Sequence, residues 1–138
     1  MLEESIKAHK NGESFCTRNS FNYLLTSLKK NFIWLKEVDS TALTSANDNL
    51  ATAFSNFFKK NTSFPKFHKK KLSGSYRTKC VNGNIALLDK GIKLPKLGKV
   101  RASLHRIPKK DWKLKSATVL QSSDGKFYAS VLFEYESD

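Results

Sequence analysis

The stretch FFKKNTSFPKFHKKKLSGSYRTKCV, residues 57–81, holds the point at which the chain changes its hydrophobic period. Upstream, apolar residues recur every three or four positions; from Tyr76 onward they alternate with polar ones. A helix returns to the same face every 3.6 residues and a strand every second residue, so a change of period marks a change of element. Between the two regimes lie a Pro-Lys-Phe corner and a lysine run, rings set beside mutually repelling charges.

On the upstream side, TRNSFNYLLTSLKKN reads as a helix with Phe21, Leu24, Leu25 and Leu28 on one face. Thr17 or Asn19 offers a capping oxygen, and Lys29–Lys30 suit the negative end of the helix dipole. FIWLKEVDS reads as a packed connection in which Trp34 and Leu35 plug a core. Asp39 or Ser40 then caps a second helix, TALTSANDNLATAFSNFFKK, whose stripe is Leu43, Ala46, Leu50, Ala53, Phe54, Phe57 and Phe58. Asp48 and Asn49 fall on its polar side, and Ser40, Thr44 and Asn47 near an exposed edge. The two helices are expected to form a hairpin.

Downstream, SYRTKCV puts Tyr76, Thr78 and Cys80 on one face and Arg77, Lys79 and Val81 on the other. Asn82–Gly83–Asn84 signals a turn into IALLD, and Lys90–Gly91 a turn into IKLPKLGKVRASLHRI, where Pro95 marks an edge or corner. Val100, Ala102 and Leu104 alternate there with Arg101, Ser103 and His105. SATVLQSSDGKFYASVLFEYE is the clearest hairpin, with Asp124–Gly125 at its tip and Phe127, Ala129, Val131, Phe133 and Tyr135 on one face. The expectation is an α+β fold: two helices over residues 1–60, a basic Pro/Lys junction over 61–73, and five or so short strands over 74–138, curled into a small antiparallel β-barrel on which the helical pair packs.

The 138 residues carry a net charge of +13, unevenly distributed. Residues 1–58 balance six Lys or Arg against six acids, whereas residues 59–115 hold eighteen against Asp89 and Asp111. Residues 116–138 hold Lys126 against four acids. A basic block of this density attracts a polyanion over the Debye length, about 8–10 Å at physiological salt. There is no run of eighteen apolar residues and no secretory signal, so a cytoplasmic protein without a membrane partner is expected. Cys16 and Cys80 make neither a disulfide framework nor a zinc motif, His9, His68 and His105 lack metal spacing, and no Gly-rich loop leads from a strand into a helix. Carboxylates are too sparse for a two-metal nuclease centre, so no cofactor and no catalytic residue are expected in this chain.

The segments WLKEV (34–38), AFSNFFKK (53–60), FPKFHKKK (64–71), SYRT (75–78), IKLPKLGKV (92–100) and GKFYASVLFEYE (125–136) occur in an order that resembles the amino-terminal half of TnpB-type (OrfB) transposases of bacterial insertion sequences. The resemblance spans roughly residues 15 to 136. Members of that family are RNA-guided DNA nucleases associated with transposition. The resemblance implies a wedge β-barrel carrying a helical recognition insert, which together grip guide RNA and read a short DNA motif beside the target. It also implies a RuvC-like nuclease domain and a zinc ribbon, neither of which this chain contains, and a first barrel strand that would precede Met1. The expectation is therefore a nucleic-acid-binding module, truncated at both ends, without cleavage activity of its own. A decayed transposase fragment and one piece of a split nuclease, completed by a separate RuvC-containing polypeptide, are the alternatives; a ribosomal-type structural role ranks behind them.

Carried onto this sequence, the family's motif-reading positions fall at Cys16, at Ser40 and Thr44, and around Arg77, Lys79, Val81 and Asn82. Phe54, Phe57 and Phe58 are expected to anchor the second helix to the barrel, and Phe64, Pro65 and Phe67 to pin the crossing between helices and strands. Lys59, Lys60, Lys66, Lys69, Lys70 and Lys71 then face a phosphate backbone of guide RNA or double-stranded DNA, with Lys99 and Arg101 completing the set of expected contacts.

Overall fold

The computed structural model describes residues 17–136 apart from Lys70 and Leu72, and the chain divides into two compact units, Met1–Lys70 and Lys71–Asp138. The division falls inside the basic junction, whose described residues form neither helix nor strand.

In the first unit, helix α1 runs Arg18–Asn31 and helix α2 Ser40–Phe58, joined by a 3₁₀ turn over Ile33–Lys36. Thr17 caps α1 by accepting from the Ser20 N–H, and Asp39 caps α2 by accepting from the Thr41 N–H at 3.0 Å. The helices are antiparallel: Arg18 Nε meets Asp48 Oδ1 at 2.8 Å near one end of the pair, and Lys29 Nζ donates to Ser40 Oγ at 3.0 Å near the other. Buried Phe21, Leu25, Leu35 and Phe54 supply the apolar centre, with Phe21 and Phe54 rings 6.4 Å apart. Phe64 stands edge-on to both Phe54 and Phe57, at 5.6 and 5.0 Å. Phe54, Phe57 and Phe64 thus form one ring cluster within the helical unit.

Three expectations change here. Trp34 does not plug the core: it is 60% exposed, because the tight 3₁₀ turn directs Leu35 inward and its neighbours outward. Asn47 is not on an exposed edge but 1% exposed, and Ala46 is the exposed one. Asn47 occupies the spacing Leu43–Asn47–Leu50–Phe54–Phe57, the inward seam of the helix, and its Nδ2 donates to the Phe21 carbonyl and to Asn22 Oδ1 at 3.4 Å. Phe67 does not bury the corner; it is 66% exposed, while Phe64 is the ring that turns inward. Phe57 is half-buried.

The strand unit contains six strands among the described residues: β1 Gly74–Lys79, β2 Ala86–Leu88, β3 Gly91–Leu94, β4 Gly98–Arg101, β5 Lys113–Gln121 and β6 Phe127–Glu134. They form two antiparallel three-stranded sheets, ordered β1-β5-β6 and β2-β3-β4. No strand joins one sheet to the other among the described residues, so the sheets are not closed into a barrel. They share one core, centred on Ile85, Ile92, Leu94 and Ala117, with Leu87, Val119 and Val131 packed around it. The third strand of the sequence reading ends at Arg101, and Ala102 and Leu104 are half-buried beyond it.

Turn chemistry sets the registers. Asn82 and Gly83 have φ of 52° and 70°, the paired left-handed geometry of a tight reversal, braced by Asn84 Oδ1 accepting from the Val81 N–H at 2.7 Å. At the β5–β6 tip, the Ser122 carbonyl accepts from the Gly125 N–H at 3.0 Å, and Gly125, at φ 82°, returns the chain into register. Gly91 is required for another reason, since a Cβ there would stand 2.3 Å from the Val100 carbonyl oxygen on β4. A bulge between Leu114 and Ser116 shifts the β5–β6 register, so that Leu114 pairs with Phe133 while Ala117 pairs with Val131.

Candidate nucleic-acid interface

The expected contact residues separate into sets that belong to different elements. Within the helical unit, Ser40 and Thr44 sit in the first turn or so of α2, and Lys59 and Lys60 at its far end, so about 28 Å of helix lies between them. They are not one site. Ser40 is exposed, yet its hydroxyl accepts from Lys29 and its carbonyl accepts from Thr44 Oγ1 at 2.9 Å. Thr44 is half-buried, and its hydroxyl is spent on the helix backbone. Lys29, a residue outside the expected set, thus stands at the exposed end of this cluster.

Lys59 and Lys60 are fixed by the helix end. The Lys60 N–H donates to the Phe57 carbonyl and the Asn61 N–H to the Asn56 carbonyl, both at 2.9 Å. This pair of bonds is a Schellman termination, and it puts Lys60 in the left-handed region at φ 60°. Lys66, Lys69 and Lys71 are exposed along the irregular junction. Cys16 and Lys70 lie outside the described residues.

In the strand unit, Arg77 and Lys79 alternate along β1, on the face away from the shared core. The Arg77 guanidinium donates through Nε and Nη2 to the buried Ser116 hydroxyl on β5, at 3.3 Å each. Arg77 and Lys79 line a cleft with Val81, Lys115 and Leu132, and Asn82 projects from the adjoining turn. The cleft also contains Glu134, which pairs with Lys115 at 2.9 Å. That hydrogen bond, with Lys115's positive charge, holds the Glu134 carboxyl below the ordinary glutamate value.

Lys99 and Arg101 alternate on β4, and the β3–β4 register places Lys93 directly across from Lys99 and Gly91 across from Arg101. Lys93, Lys99 and Arg101 therefore share the outward face of the second sheet, and Lys90 joins Lys99 and Arg101 along an open cleft. None of the three outward cations pairs with a carboxylate of a described residue. Like charges directly opposite on neighbouring strands repel, and without a counter-charge this arrangement is destabilising. Lys93 escaped the sequence reading, although the signal is present: Leu94–Pro95–Lys96–Leu97–Gly98 is a turn, and Lys93 and Lys99 flank it symmetrically.

Among the described residues no group of three or more His, Cys, Asp or Glu is placed to hold a metal, and no helix is long and apolar enough to cross a membrane. No protein-family model and no curated protein matches the chain.

Proposed function

We propose that this chain is the wedge-and-recognition half of a TnpB-type protein, a module that binds guide RNA and target-adjacent double-stranded DNA and does not cut on its own. In this reading the two sheets are an open form of the wedge barrel, and the helical hairpin is the recognition insert. The observation that carries it is the cation row Lys93, Lys99 and Arg101. Two lysines held directly opposite each other by strand register, neither ion-paired to a described carboxylate although Asp89 lines the cleft beside Lys99, form a surface completed by phosphate. Arg77, positioned by Ser116, adds a planar donor suited to phosphate or to a base edge. Lys59, Lys60, Lys66 and Lys69 in the first unit and Lys71 in the second are further exposed cations.

The test is to express the chain beside its own flanking DNA, purify it at moderate salt, and sequence the nucleic acid that copurifies. A discrete, RNase-sensitive RNA from the end of the element is expected. It is lost on combined Lys93→Glu and Lys99→Glu replacement, and on charge reversal of Lys69–Lys71. Each phosphate contact removed lowers the log–log salt slope of duplex binding by about 0.9 unit. Recovery of random nucleic acid or none, or equal retention by the charge-reversed variants, would sink the proposal.

A further inference from the structure

Edge strands invite pairing, and proteins blunt them with lysine, proline, glycine kinks or short length. Three of the four edges here follow that rule. The edge strand β1 carries Arg77 and Lys79, β2 is three residues long, and β4 carries Lys99 and Arg101. The fourth, β6, does not. It runs eight residues, FYASVLFE, with no Lys, Arg, Pro or Gly, and it exposes Phe127 by 69%, Tyr128 by 52% and Leu132 by 53%. No strand pairs with its outer edge among the described residues.

The hairpin fixes which backbone groups that edge offers. Ser122 N–H donates to the Lys126 carbonyl at 2.8 Å, and antiparallel bonding alternates from there. Tyr128, Ser130 and Leu132 therefore bond to β5, while the N–H and C=O groups of Phe127, Ala129, Val131 and Phe133 point outward. A second β6 can bond to this edge about a two-fold axis only if outward-pointing residues meet outward-pointing residues. In the register with Ser130 opposite Ser130, every pair is complementary. Ala129 meets Val131, Tyr128 meets Leu132, Phe127 meets Phe133, and Lys126 meets Glu134 of the second copy. A two-residue shift one way sets Asp124 against Glu134; the other way keeps a charge pair, Lys126 with Glu136, but sets the Tyr128 ring against Glu134. The hairpin also lies in the least basic part of the chain, so pairing here keeps the cationic stretches apart.

We infer that β6 is a self-association edge: two copies of this chain join through antiparallel β6 strands into a continuous six-stranded sheet with Ser130 on the two-fold axis. The symmetry is isologous and closes at two copies. The inference stands apart from the nucleic-acid reading, since none of the residues it uses is an expected phosphate contact.

The test is sedimentation equilibrium on the full chain after nuclease treatment, at salt high enough to strip nucleic acid. The expected mass is twice the 15.7 kDa of one chain. Ser130→Lys sets two ammonium groups against each other across the axis, and the exposed position leaves the single chain folded; a folded monomer is expected, with a cooperative melt that no longer depends on protein concentration as the parent's does. Ser130→Cys places two thiols opposite each other in a non-hydrogen-bonded pair, the close pairing that a disulfide can span, and should give a covalent dimer on mild oxidation that the parent, with Cys16 and Cys80, does not. A parent that stays monomeric overturns the inference. So does a folded Ser130→Lys dimer. Should Ser130→Lys fail to fold, the Ser130→Cys variant decides: a cross-link through the introduced thiol supports the axis, and its absence refutes it.

Discussion

Lys60 is the position where helix architecture and the proposed function can be separated by one substitution. It sits at φ 60°, immediately beyond the end of α2, and its own N–H and that of Asn61 satisfy two of the last helix carbonyls. The left-handed conformation costs a residue with a Cβ about 1–2 kcal/mol. Lys60→Gly removes that strain and keeps both backbone hydrogen bonds, but adds unfolded-state freedom worth roughly 0.5–1 kcal/mol. The net gain is about 0.5–1 kcal/mol, or a rise of about 2–8 °C in the melting of a unit this small. Lys60→Ala is the control, because it loses the same ammonium and keeps the strain. A far-ultraviolet circular dichroism melt, which follows the helices, should rank glycine above lysine and alanine, with the latter two within about 0.5 kcal/mol of each other. If Lys60 contacts phosphate, both variants lower the salt slope of binding equally, by about 0.9 unit. Glycine melting at or below alanine would refute the claim that this backbone geometry ends the helix.

Phe54→Ala should destabilise the helical unit by about 3–5 kcal/mol in chemical denaturation, because the ring is fully buried between Phe21 and Phe64. Phe57→Ala should cost clearly less, as its ring is half-buried. Gly91→Ala drives a methyl into the Val100 carbonyl and should cost the strand unit about 1–3 kcal/mol, read as loss of amide exchange protection across β3 and β4. The Asp124 carboxyl accepts first from the Lys126 N–H, then from the Lys126 ammonium and from Ser122, which holds it below its ordinary value of 3.8. Its contribution to the hairpin is complete above the unfolded carboxyl pKa and is lost as pH falls through the folded one. A carboxyl-carbon NMR titration should find the midpoint below 3.8, and Lys126→Ala should bring it back toward that value.

The features legible in the sequence were those written by local chemistry. Thr17, Asp39, Asn82–Gly83 and Asp124–Gly125 each act within a few residues of themselves, so caps and turns fell where expected. The period change after residue 60 likewise located the passage from helices to strands. What misled was residue type set against position. Asn47 reads as polar, but its place in the 4-3 spacing of α2 turns it inward, where its amide reaches the backbone of α1. Trp34 reads as core, but a 3₁₀ turn can direct only one side of four residues inward, and Leu35 takes it. The cationic face was legible only in part. Lys99 and Arg101 stand out in the sequence, whereas the opposition of Lys93 and Lys99 exists only once the turn has fixed the hairpin register.

The bulge beside Lys115 also defines where this chain tolerates a change of length. Along β5, Ala117 and Val119 face the core at odd positions, whereas Leu114 does so at an even one, and Trp112 stacks on Tyr135 at 4.9 Å from that same even series. The extra residue is what lets both series face inward, acting as a frame correction within the strand. Deleting Lys115 regularises the ladder and leaves every other side chain on its present face. Deleting or inserting one residue between Ser116 and Gln121 inverts the remainder of the strand, and no single second substitution restores it. Natural or engineered length variants of β5 should therefore gather at position 115 and be missing from the rest of the strand.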